Sequence, residues 1–99
     1  MSYTAGRVSI QNEVLTNSNE EYEITLPTYY KKILVQARQY TTIKFSFTKG
    51  ESGTEYITVK PGTAYWEDNI RAVENLYVQS PTAGTTVEVI VWDKGTDVL

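Results

Sequence analysis

Thr86-Val87-Glu88-Val89-Ile90-Val91-Trp92-Asp93 decides the reading of this chain. The residues alternate, with Val87, Val89 and Val91 on one side and Glu88, Ile90 and Trp92 on the other. A period of two is the mark of a β-strand with one buried face. The three valines claim the core, so Ile90 and Trp92 point away from it.

The same period recurs upstream. Thr42–Thr48 sets Ile43, Phe45 and Phe47 inward and Lys44, Ser46 and Thr48 outward. Further strands are expected at Arg7–Leu15, where Val8 and Ile10 share a face, and at Tyr22–Leu26, Ile33–Arg38, Glu55–Lys60, Ala64–Glu67 and Leu76–Ser80. Turn chemistry separates them. Lys49-Gly50-Glu51-Ser52-Gly53 reads as a hairpin loop, Pro61-Gly62 as a type II turn, and Ser80-Pro81-Thr82-Ala83-Gly84 as another turn. Thr, Val, Ile and Tyr together make up 39 of the 99 residues, and no helical pattern lasts beyond a turn or two.

About eight short strands in a single domain predict an all-β fold, an antiparallel β-sandwich of jelly-roll type. A small closed barrel is the rival. The domain is expected to span residues 1–99, with a short N-terminal arm (about 1–6) and a C-terminal tail (about 94–99). The expected core is Ile24, Val35, Phe45, Phe47, Ile57, Val59, Val78, Val87, Val89 and Val91.

Composition narrows the function. The chain has no His and no Cys, so the commonest general base, thiol nucleophile and transition-metal ligands are missing. The twelve acids could pair as in a glycosidase, but no spacing singles out a pair. Asn17-Ser18-Asn19-Glu20-Glu21 lacks the calcium-loop pattern, and Gly50-Glu51-Ser52-Gly53 is not a phosphate loop. No catalytic residue, cofactor or metal is therefore expected. Nine scattered basic residues and a net charge of −3 argue against nucleic-acid binding. Neither a leader-like segment nor a membrane-length apolar run is present in the sequence, so synthesis in a cytoplasm and no membrane partner are expected.

Aromatic residues carry the positive signal. Ten Tyr and Trp stand against two Phe, and rings with polar tips suit surfaces that become buried. Strand parity turns Leu34, Tyr56, Tyr77, Ile90 and Trp92 outward, which makes them candidates for a subunit interface. The pairs Tyr29-Tyr30 and Tyr65-Trp66 are candidates for stacking on a ligand such as a sugar.

The stretch Asn75–Trp92 resembles the closing hairpin of small structural proteins of tailed-bacteriophage particles. Ile57-Thr58-Val59-Lys60-Pro61-Gly62-Thr63 is similar to the strand, Pro-Gly, short-strand element of the same group. The resemblance spans Tyr56 to Trp92 and carries no catalytic residues. It implies a non-enzymatic β fold acting in many copies. The implied role is a capsid decoration (cement) or head-fibre-like protein on the outer capsid surface, a homotrimer by preference, with the major capsid protein or another virion protein as partner. A carbohydrate-binding or host-recognition module of a phage particle is the alternative.

Overall fold

The computed structural model describes residues 2–4, 8–26, 30–68, 75–93 and 96–98. Among the described residues there are ten strands: β1 (Ser2–Thr4), β2 (Val8–Leu15), β3 (Tyr22–Thr25), β4 (Tyr30–Ala37), β5 (Ile43–Ser46), β6 (Ile57–Val59), β7 (Ala64–Asp68), β8 (Asn75–Gln79), β9 (Thr85–Asp93) and β10 (Thr96–Val98). Every expected strand is found, with ends displaced by at most a few residues.

Eight of the ten form two antiparallel sheets, ordered β2-β9-β4-β7 and β3-β8-β5-β6. Consecutive strands alternate between the sheets, except that β5 and β6 are joined as a hairpin within one. This is the double-sheet arrangement of a jelly roll. The turns have the chemistry their residues demand. Gly62 takes φ 76°, and Thr63 N donates to Lys60 O at 3.1 Å, which closes the Pro61-Gly62 turn.

The core lies between the sheets. Ile33, Val35, Val87, Val89 and Val91 enter it from one side, and Ile24, Ile43, Phe45, Val59, Leu76 and Val78 from the other. Phe45 is fully buried and meets Phe47 and Tyr65 edge-on, with ring centroids 5.7 and 5.1 Å apart. The Tyr65 contact bridges the sheets. Ile57 departs from expectation, being 36% exposed. It sits on β6, a three-residue strand at the rim of its sheet, where no further strand covers it.

The segments read as an arm and a tail pair with each other. Ser2 faces Val98 and Thr4 faces Thr96 in the two-stranded sheet β1-β10. Val8 faces Trp92 in the β2-β9 pair. From Ser2 to Val8 is six residues forward, and from Val98 to Trp92 six back, so both pairs keep one register. The molecule is elongated, with extents of 50 × 24 × 18 Å.

Candidate functional site: an apolar outer sheet face

Side chains of register partners lie on the same side of a sheet, so three rows can be read across the outer face of β2-β9-β4-β7. The first is Val8, Trp92, Lys32, Asp68; the second Ile10, Ile90, Leu34, Trp66; the third Asn12, Glu88, Gln36, Ala64. The second row is apolar from edge to edge. Ile10 is 65% exposed and Trp66 56% exposed, while Ile90, Leu34 and Trp92 are half-buried. With strands about 4.8 Å apart and a rise of about 3.4 Å per residue, the block covers a few hundred Å². An apolar patch of that size is comparable to the largest found on an ordinary monomer, and such patches are often functional.

Strand β2 shows that this face is apolar by arrangement. It turns Ser9, Gln11 and Glu13 to the side of Val91, Val89 and Val87, while Val8, Ile10 and Val14 are exposed. A slip of one residue would bury the apolar set. Several contacts resist the slip. Leu15 is fully buried, its carbonyl accepts from Gly84 N at 2.7 Å, and Gln11 Nε2 donates to Thr25 O at 2.8 Å. The cost shows at Gln11, whose Oε1 is buried without a hydrogen-bond partner.

Lys32 meets the two tryptophans of the face. Its ammonium lies 4.9 Å from the Trp92 ring and 5.2 Å from the Trp66 ring. Cation–π attraction to each ring, about 0.5–1 kcal/mol at an exposed site, favours this arrangement.

The interface candidates therefore divide. Leu34, Ile90 and Trp92 share this face. Tyr77, grouped with Ile90 and Trp92 as an interface candidate, belongs to the other sheet, between Glu23 and Ser46, and is only 9% exposed. The β5-β6 loop is drawn over the outward side of that sheet. Glu21 accepts from Gly50 N at 2.8 Å, Ser52 N at 3.1 Å and the Ser52 hydroxyl, and Gln79 Nε2 donates to Ser52 Oγ at 3.0 Å. Tyr56 is exposed just before β6, with the Lys44 ammonium 4.8 Å from its ring.

The ligand-stacking candidates do not form a row. Tyr65 packs against the core and Trp66 points outward, as neighbours in a strand must. Tyr29 lies outside the described residues, as does the side chain of Tyr30. Among the described residues no group of three or more Asp or Glu is placed to hold a metal ion.

Sequence reasoning missed the exposure of Val8, Ile10 and Val14. Their shared parity was visible, but nothing local says which side of β2 meets the core. It also missed the polar end of the same face. There Glu88 accepts from Gln36 Nε2 at 2.8 Å and from Arg38 Nε at 2.9 Å, bonds that hold its carboxyl below the usual carboxylate range.

No protein-family model and no curated protein matches the chain. Among solved structures it is similar to one described as the solution NMR structure of a de novo designed double-stranded β-helix. The TM-score is 0.51 and the identity 18%, covering 88% of this chain and 99% of that one. At that identity the likeness concerns the fold alone, which it places with two-sheet β-helical sandwiches.

Proposed function

We propose that this protein is a non-catalytic assembly module that docks the outer face of β2-β9-β4-β7 onto other proteins. The observation that carries the reading is the apolar row Ile10, Ile90, Leu34, Trp66, left open on a sheet whose inner face already fills the core. Burying it stabilises an assembly by roughly 25 cal/mol per Å² of apolar surface, before the costs of association. Tryptophan is among the commonest interface anchors, and both tryptophans here lie beside the Lys32 ammonium.

The resemblance to phage structural proteins supplies the finer proposal. Copies, trimeric by preference, bind the outer surface of a capsid and hold neighbouring capsid proteins together. Many individually weak contacts on one shell then act jointly.

Sedimentation velocity over a range of concentrations tests the first level. Wild type is expected to self-associate or to bind a virion protein, and Ile10→Lys to stay monomeric with an unchanged melting curve. A wild type that neither self-associates nor binds any particle protein would sink the reading. Mass spectrometry of gradient-purified particles from the virus-producing culture tests the second level, and absence of the chain from them rejects the capsid role.

A further inference from the structure

We propose that the polar end of the same sheet face, where the β4-β5 and β6-β7 loops meet it, is a binding site for a single neutral sugar residue. The site shares no residue with the apolar row. It goes beyond the assembly reading and moves glycan recognition away from the Tyr65-Trp66 pair.

The geometry begins with an open cleft of about 310 Å³ lined by Gln36, Arg38, Tyr40, Gly62, Ala64 and Glu88. That volume is at the low end of the roughly 300–1,000 Å³ typical of small-molecule sites, which suits one ring rather than a long chain. Ala64, the register partner of Gln36, offers only a methyl group and leaves depth on the β7 side.

Three planar polar groups are fixed there by their own bonds. Gln36 Nε2 and Arg38 Nε both donate to Glu88. Gln36 Oε1 and the remaining carboxylate lone pairs stay available as acceptors, and the guanidinium Nη groups as donors. Donors and acceptors side by side match hydroxyl groups, which can use both at once. The charges of Arg38 and Glu88 offset each other within the cleft. An anion at the free guanidinium nitrogens would lie close to the Glu88 carboxylate, and a cation at the carboxylate would lie close to Arg38, so each meets a like charge. A neutral polyol meets none.

Tyr40 supplies the platform. It is 84% exposed, the most open of the large hydrophobic side chains among the described residues. One edge of its ring lies beside Gly62, where a Cβ would come within 3.1 Å of Tyr40 Cε1. The ring is seated against bare backbone, with the rest of its surface open to the C–H face of a pyranose. Ring stacking beside a set of planar hydrogen-bonding groups gives both an apolar and a polar half to the recognition.

Titration of the ¹⁵N-labelled full chain with glucose, galactose, mannose and N-acetylglucosamine, each separately, tests the proposal, with inorganic phosphate and N-acetylneuraminic acid as anionic probes. At least one neutral sugar is expected to shift the amides of Gln36–Tyr40 and Gly62–Ala64 saturably. Tyr40→Ala is expected to weaken that binding about tenfold with an unchanged melting temperature, and Glu88→Gln to weaken it as well. No neutral sugar shifting these amides, shifts from the anions alone, or full binding by Tyr40→Ala would each overturn the site. Ile10→Lys should bind the sugar like wild type. Retained binding in that variant supports a site on the single chain whatever becomes of assembly, and lost binding rejects it.

Discussion

Ile10 and Ile90 are register partners across the β2-β9 pair, and both point away from the core. Val89, one residue from Ile90 on the same strand, is fully buried. Ile10→Ala should therefore leave urea unfolding of the isolated domain within about 0.5 kcal/mol of wild type, while weakening association. Val89→Ala should cost about 2 kcal/mol or more and leave association of the remaining folded protein intact. Equal destabilisation by the two changes would mean that Ile10 is structural.

Phe45 joins the two halves of the sandwich through its contacts with Phe47 and Tyr65. Phe45→Ala removes a fully buried ring and should cost roughly 3–5 kcal/mol. That is a large share of the stability of a domain this size. Thermal or urea unfolding checks it, and a loss below about 1 kcal/mol would contradict the core assigned to that ring.

Glu21 ties the β5-β6 loop across the sheet and should give folding an acid-sensitive component. Partial burial raises its pKa, but the Ser52 hydroxyl, the Gly50 and Ser52 amides and the charge of Lys49 outweigh it, and the carboxyl ends below its ordinary value of 4.5. A depressed carboxyl contributes stability that is fully present above the unfolded-state value and is lost as pH falls through the folded-state one. Glu21→Gln should flatten the fall in stability below about pH 5 while changing little of the pH dependence near neutrality. Denaturation at a series of pH values reads this directly.

Gly62 and Gly50 both have positive φ, but their surroundings differ. Alanine at Gly50 meets nothing within 4 Å, whereas at Gly62 its methyl would press on Tyr40. The left-handed backbone costs a non-glycine residue about 1–2 kcal/mol at either position. Tyr40 is exposed and free to give way, so Gly62→Ala and Gly50→Ala should cost about the same in thermal unfolding. Only Gly62→Ala should also shift the Tyr40 ring resonances.

Alternation made the strands and most of the core legible. Val87, Val89 and Val91 fall inward as their spacing requires, and so do Ile43 and Phe45. Pairing was not legible, because β9 finds its partners in β2 and β4, far away in sequence. Without the pairing, Ile57 looked like core, since its type suits a strand interior and only its place on a rim strand exposes it. Tyr77 was correctly turned outward by parity, but the loop tied down by Glu21 lies on that side of the sheet, and such a tie leaves no periodic trace. The apolar face was half visible. Ile90 and Trp92 stood out because the valines beside them claimed the core, whereas on β2 the polar residues hold the inner side and reverse the usual reading. The polar cleft gathers residues from three strands and two loops, so no local motif could announce it.

The central place of β9 in its sheet also sets an order of events as the chain folds. Strands β3, β8, β5 and β6 all lie within residues 22–79, so the pairing of their sheet needs nothing from β9. Strands β2 and β4 come early in the chain but have no bond to each other, and both wait for residues 85–93. Pairing over such separations is slow. The row of Ile10, Ile90, Leu34 and Trp66 cannot come into register until β9 arrives. The docking face proposed above is thus incomplete until residues 85–93 have paired with both neighbours, and it appears only as the sheet itself closes.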